Sequence, residues 1–235
     1  MSDRPLGVLA AGRVPYAHAL DWQRALARAR IDGRLGHDVL LLLEHPPVIT
    51  LGRGSHAQHL LDTAGVDVVE VERGGDATYH GPGQLVGYPI VDLRQHRPDL
   101  HWYLRNLEQA LITSLDILGL PAERRTGLTG VWTRGRKIAS LGVHVKQWVT
   151  WHGFALNVST DLRAFERIVP CGIAGVEMTS VAREVGSGMG DEQLWSRSVA
   201  AVVAGFEQAF DVSARTTTHA ELDVVLREAA PQPAA

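Results

Sequence analysis

The stretch Lys137-Ile-Ala-Ser-Leu-Gly-Val-His-Val145, followed closely by Val149-Thr-Trp-His-Gly-Phe-Ala-Leu-Asn-Val158, reads as two neighbouring β-strands. In the first, Lys137 is in phase with Ala139, Leu141, Val143 and Val145, while Ser140, Gly142 and His144 take the other face. In the second, Gly153 and Ala155 share a face with Trp151 and Asn157. Small residues inside strands leave room beside a sheet, which suits a groove for a chain-like ligand or, equally, a bulge or a close helix contact. Outward from this pair lie further strand-like runs at Val39–Leu43, Val48–Leu51, Val66–Val71 and Leu85–Leu93. Three helical stripes frame them: Trp22, Ala25, Leu26 and Ala29; Leu104, Leu107, Leu111, Leu115 and Leu118; and Val199, Val202, Val203, Phe206 and Phe210. Helices at both ends around a long β-rich middle predict one mixed α/β (α+β) domain, a single mixed-sheet domain flanked by helices. That domain is expected over residues 1–230, with 231–235 a flexible Pro/Ala tail and Gly186 to Gln193 a flexible loop.

The 235 residues are 45% hydrophobic and 21% charged, with a formal net charge of −3. This balance excludes a disordered tail protein and supplies no global basic field for nucleic acid or a membrane surface. A single cysteine, Cys171, excludes an internal disulfide, a CxxC redox pair and a Cys-rich zinc site. Val39 to Leu43 is too short to span a bilayer, and Met1 to Gly12 lacks signal-peptide architecture, so a cytoplasmic location is expected. Of the 23 basic residues only Lys137 and Lys146 are lysines. Arginine keeps its proton in proteins, whereas lysine gives it up when its surroundings disfavour charge. Lys137, at the start of an apolar strand face, is either buried there or snorkels into water.

Chemistry-bearing residues gather in three places. Arg73-Gly-Gly-Asp-Ala-Thr-Tyr-His-Gly-Pro-Gly-Gln84 can turn tightly and open its main-chain N–H groups to a ligand, although a plain hairpin loop has the same composition. It lacks the Gly-Lys-Ser/Thr ending of a Walker A loop. The second place is the strand pair itself, with Ser140-Leu-Gly142 and His152-Gly-Phe-Ala155. The third is Ile168-Val-Pro-Cys-Gly-Ile173, where Cys171 is either an inert buried hydrophobe or a nucleophile with the next N–H, of Gly172, free as an oxyanion donor. His80, His144 and His152 are alternative bases for such a cysteine. His56 and His59 have helical spacing but no third metal ligand nearby, and no metal is expected. Gly186-Ser-Gly-Met-Gly190 imitates a dinucleotide fingerprint without a preceding strand or a matching following helix. Arg94 to Arg105 reads as a solvated surface.

Several of these motifs together resemble the lipoyl(octanoyl) transferase family. The segments that carry the likeness are Glu44-His-Pro-Pro-Val-Ile-Thr-Leu-Gly52, Arg73 through Ile90, Gly130-Val-Trp132, Lys137 through Val143, His152 through Val158 and Pro170-Cys-Gly-Ile173. They run in order from about residue 40 to residue 175; Asp76 and Ala77 fall where variation is expected, and the likeness fades beyond Gly186. The resemblance implies the fold of the biotin and lipoate protein ligases. It implies transfer of an octanoyl group from octanoyl-acyl carrier protein to a lysine of the lipoyl domains of 2-oxoacid dehydrogenase E2 subunits and of the glycine cleavage H protein, without a cofactor. Cys171 matches the family's acyl-carrying nucleophile and Lys137 its catalytic lysine. Substrate contacts map onto Arg73, Gly74, Gly75, Asp76, Ala77, Thr78, Tyr79 and His80, onto Ser140, Leu141 and Gly142, and onto Gly153, Phe154 and Ala155. Arg124, Arg125, Arg134 and Arg136 cluster as a candidate basic patch for an acidic carrier protein. Two other classes compete: an ATP-dependent ligase of the same fold, which needs no Cys171, and a non-catalytic acyl- or protein-binding module.

Overall fold

The run Val39–Leu43 carries no polar alternation because both of its faces are covered. In the computed structural model it forms the interior of a strand with all five residues buried. The structure describes residues 4–172, 175–186 and 188–229, without the side chains of Cys171, Val224 and residues 226–229. In chain order the elements are β1 (Pro5–Arg13), α1 (Tyr16–Ile31), β2 (Asp38–Glu44), β3 (Val48–Leu51), β4 (Asp67–Glu70), β5 (Thr78–His80) and β6 (Gln84–Ile90). They continue with α2 (Leu100–Ile117), β7 (Glu123–Arg125), β8 (Leu128–Thr133), β9 (Arg136–Lys146), β10 (Val149–Asn157), α3 (Val181–Val185), α4 (Asp191–Phe210), β11 (Ser213–Thr216) and α5 (His219–Ala229).

Eight strands form one sheet in the order β11-β1-β2-β6-β10-β9-β8-β7, and β4-β3-β5 form a second, smaller one. The β11–β1 and β1–β2 pairs are parallel, and the rest of the large sheet is antiparallel. The expected mixed sheet flanked by helices is therefore present. Its two faces follow from strand alternation. Leu40, Leu42, Leu85, Phe154 and Leu156 pack under α2 and α4, through Leu107, Leu111, Leu115, Val202 and Phe206. Val39, Leu41, Val86, Tyr88, Trp151 and Ala155 pack on the opposite side with α1, through Leu26, Ala27 and Ala29.

Asp99 caps α2 by accepting from the N–H groups of His101 and Trp102. Gly205 lets α4 approach α2, since a β-carbon there would stand 2.2 Å from the Ala110 carbonyl oxygen. Two expectations are corrected. Gly190 directly precedes α4, so the glycine-rich stretch does open a helix, although it follows the short helix α3 rather than a strand. Asp191 to Gln193, expected in a flexible loop, form the first turn of α4. Residues 231–235 lie outside the described residues. Among the described residues, no helix is long and apolar enough to cross a membrane.

Candidate active site

The lysine at the start of β9 is placed by a bulge. Trp132 stands opposite Lys137 and Val131 opposite Ala139, so Ile138 is an extra residue on β9. Opposed residues share a face and successive ones alternate, so Lys137 and Ala139 point to opposite sides of the sheet. This corrects the sequence phase: Lys137 shares the face of Ser140 and Gly142, while Ile138 and Ala139 both enter the core beneath α2 and α4. Lys137 is nevertheless buried, at 1% exposure. Its Cε would lie 2.8 Å from a β-carbon at Gly130, so that glycine leaves the space it fills. Its Nζ lies 5.2 Å from the centroid of the Trp132 ring. The Lys137 N–H donates to the Glu177 carbonyl and its own carbonyl accepts from Thr179, 2.8 Å each, which ties it to the chain that leaves the cysteine turn.

The glycine-rich loop arches over this face of the sheet. Arg73 is buried and donates to the Thr50 carbonyl (2.7 Å), Thr50 Oγ1 (2.9 Å), the Gly74 carbonyl (3.1 Å) and the Asp76 carbonyl (2.8 Å). One guanidinium thus ties two carbonyls of the loop to one of β3, a task its planar fork suits. Gly74 N–H donates to the Val143 carbonyl at 2.9 Å, anchoring the loop to β9. Gly142 makes room for Arg73, because a β-carbon there would stand 3.0 Å from Arg73 Cδ. Gly153 is required by strand packing: its β-carbon would meet the Gly87 carbonyl oxygen at 2.3 Å.

Between loop, sheet and α1 lies a cavity of about 250 Å³. Of the residues expected to contact substrate, Arg73, Gly75, Asp76, Thr78, His80, Ser140, Leu141, Gly142, Gly153, Phe154 and Ala155 line it. Gly74, Ala77 and Tyr79 do not. Gly74 serves as the anchor just described, and Ala77 and Tyr79 turn into a separate apolar cluster with Phe165, Ile168 and Met178. Tyr16, Tyr88 and Gly127 to Thr129 also line the cavity without having been expected there, as does His152, expected within the strand-pair segment and as a candidate base. Tyr88 shares a face of β6 with Val86 and carried a readable signal; Tyr16 and the Gly127 turn arrive only through tertiary packing.

The inner wall is a cluster of neutral aromatic and polar rings. His45 is bonded to the Val14 carbonyl and to Tyr88 Oη, both at 2.7 Å, and burial pushes it down to about 4. His80 meets Gln84 Oε1 at 2.8 Å; burial, with His45 nearby, pushes it down to about 3. Burial raises Tyr16 to about 12. His152 is held low by burial, and Glu72 beside it lies below the usual carboxylate range through its contacts with His152, Arg24 and Trp151. The His144 ring tilts over Trp151, and its Nδ1 meets the Glu72 carbonyl at 3.0 Å.

Cys171 occupies the turn Pro170–Gly172, and its side chain lies outside the described residues. The turn is pinned by Val169 N–H to the His59 carbonyl at 2.8 Å. Gly172 has φ +66, and a β-carbon there would stand 2.6 Å from Asp76 Oδ2, so the turn rests directly on the glycine-rich loop. Asp76 is in turn bound to His59 Nδ1 at 2.5 Å. The Gly172 N–H, expected to be free for an oxyanion, donates to the Val169 carbonyl at 3.1 Å. The arginine cluster is likewise engaged. Arg124 pairs with buried Glu108, Arg134 and Arg136 with buried Glu184, and Arg125 donates to the Gly135 carbonyl.

The topology of this α/β scaffold is shared with solved lipoate protein ligases. Lipoate-protein ligase A bound with ATP superposes over 97% of this chain and 94% of its own with a TM-score of 0.76 at 20% identity. The bipartite lipoate protein ligase of Thermoplasma acidophilum covers 97% of this chain and 91% of its own with a TM-score of 0.71, also at 20% identity. At such identities the likeness concerns the fold alone. Residues 15–203 match the model of the lipoyl protein ligase A/B catalytic domain, and the chain belongs to that family. Within it, octanoyltransferases are similar in sequence. That of Gloeobacter violaceus is 61% identical over 69% of this chain and 73% of its own length, and that of Nostoc punctiforme 53% identical over 73% and 76%.

Proposed function

We propose that this protein moves an octanoyl group from octanoyl-acyl carrier protein to the acceptor lysine of lipoyl domains, through a thioester on Cys171. The acceptors are those of 2-oxoacid dehydrogenase E2 subunits and the glycine cleavage H protein. The observation that carries the reading is a lysine at 1% exposure, turned by a bulge onto the cavity face of the sheet, in a chain whose relatives are octanoyltransferases. The Cys171 thiolate attacks the carbonyl of the donor thioester. The bond to the phosphopantetheine sulfur breaks and that thiol leaves with a proton, the octanoyl group remaining on Cys171. The acceptor amine then attacks the new thioester, an amide forms, and the Cys171 sulfur is released. Lys137 exchanges the protons of both steps as a base, or holds the thiolate by its charge. Conversion of a thioester to an amide is downhill, so no nucleotide is needed to drive it.

The eight-carbon chain lies along Gly142, Gly153 and Ala155 under the Arg73 loop, where each buried methylene contributes about 0.8 kcal/mol. Gly172 can serve as an oxyanion donor only if its N–H is released from Val169, so its part is secondary. The test mixes the protein with octanoyl-acyl carrier protein and a lipoyl domain, without ATP or magnesium, and follows the acceptor's mass. The acceptor gains one octanoyl group with the native protein and none with Cys171→Ala. Transfer that requires ATP, or that survives Cys171→Ala undiminished, overturns the reading.

A further inference from the structure

The wall of the cavity under α1 contains a histidine with no part in the proposed transfer chemistry. His152 lines the cavity at 1% exposure, and neither of its ring nitrogens has a hydrogen-bond partner among the described residues. Its backbone is left-handed, with φ +56, an arrangement unfavourable for a residue with a β-carbon that persists only where its surroundings enforce it. The His152 N–H is fixed to Gln23 Oε1 of α1 at 2.9 Å. Strand alternation alone would send the side chain to the face of Phe154, beneath α2 and α4. The ring lies instead on the α1 side, 3.8 Å by Nε2 from Glu72 Oε2.

Register places this ring far from the lysine. The Lys137 tail fills the space beside Gly130, at the level of Ser140, whereas His152 stands opposite Val143. Three residues of strand separate the two levels, roughly 10 Å, a span of the same order as an extended octanoyl chain. Beyond His152 the molecule opens again. Glu72 and Trp151, joined by a 2.9 Å hydrogen bond from Trp151 Nε1, face an outer groove of about 670 Å³ between α1 and the β9–β10 hairpin. His152 and Glu72 are thus the partition between the acyl cavity and that groove.

We propose that His152, backed by Glu72, is the stopper that sets the acyl length this site accepts. This inference rests on the octanoyl-transfer reading of the cavity. A methyl end that reaches the imidazole meets a polar ring backed by a carboxylate. Further methylenes must either displace that ring or strip polar groups of solvent without replacing their hydrogen bonds. Burial holds His152 below its ordinary value, so at neutral pH the ring is uncharged and lies against the cavity without forcing a charge into it.

The test compares acylation of the protein by octanoyl- and dodecanoyl-acyl carrier protein, without ATP, as the ratio of the two initial rates. Two variants are chosen to tolerate the left-handed backbone: His152→Gly, which opens the partition, and His152→Asn, which shortens the side chain. The dodecanoyl-to-octanoyl ratio is expected to rise at least about tenfold in His152→Gly and by a smaller factor in His152→Asn. Four fully buried methylenes would allow roughly two-hundredfold. An unchanged ratio in both folded variants, or an equal loss with both chain lengths, overturns the stopper. Absence of any acylation in the native protein would instead overturn the octanoyl-transfer reading itself.

Discussion

Lys137 owes its position to one inserted residue. Without Ile138 in the β8–β9 register, alternation would carry the lysine into the apolar core beneath α2 and α4, where Ala139 lies. The bulge keeps it buried yet delivers it to the cavity face, against the Trp132 ring and in the space left by Gly130. Lys137→Arg separates the two roles open to this residue, because arginine keeps charge and cannot release its proton. Transfer to the acceptor is expected to fall at least about a hundredfold, within the usual range for loss of a general base, with the fold intact by circular dichroism. Full activity in a folded Lys137→Arg protein would remove the lysine from proton transfer. Arg73 teaches the complementary lesson. Its place in the loop was readable, but its two terminal nitrogens donate to Thr50, Gly74 and Asp76, so it shapes the site before it touches any ligand.

At the scale of elements, the site depends on how helices and strands approach one another. The α2–α4 pair closes the far side of the sheet at Gly205, where a β-carbon would stand 2.2 Å from the Ala110 carbonyl oxygen and 2.4 Å from Ser114 Oγ. Gly205→Ala should therefore destabilise the protein by roughly 1–3 kcal/mol despite the ~1 kcal/mol gain in helix propensity. Its denaturant midpoint, compared with the native protein's, measures the balance; a higher midpoint would mean that the helices part without cost. Interior elements such as these were legible because their burial is written in periodicity. Val48–Leu51 coincides with β3, Val39–Leu43 lies inside β2, and the Leu107, Leu111 and Leu115 stripe lies on α2. The short strands β5, β7 and β11 were not, since three or four residues with half-exposed or polar side chains carry no period of their own. The phase of Lys137 was misread for a related reason. A bulge is a property of two strands together, and a single strand's alternation does not contain it.

The whole molecule sets its pH tolerance through the buried rings under α1. Histidine titrates near 6.5 when unfolded, but burial holds His45 at about 4 and His80 at about 3 in the folded protein. Between these values the unfolded chain binds more protons than the folded one, so stability falls as pH is lowered from about 7 towards 4. Glu72, held below the usual carboxylate range by His152, Arg24 and Trp151, acts in the same direction, its contribution fading as acid protonates it. Urea midpoints measured at about pH 7 and about pH 4.5 should differ clearly, with the acid value lower; equal midpoints would contradict neutral burial of these histidines. The proposed transfer converges on one sulfur, that of Cys171. The glycine-rich loop, the turn at Pro170–Gly172 and the lysine-bearing bulge converge through Asp76 against Gly172 and through Lys137 paired with the Glu177–Thr179 chain. The most direct measurement is the intact mass of the isolated protein after incubation with octanoyl-acyl carrier protein alone, followed by addition of a lipoyl domain. One octanoyl adduct on Cys171 is expected, absent from Cys171→Ala and discharged to the acceptor lysine without ATP. An acceptor that becomes octanoylated while the protein never carries an adduct, or an adduct that the acceptor does not discharge, would contradict transfer through Cys171.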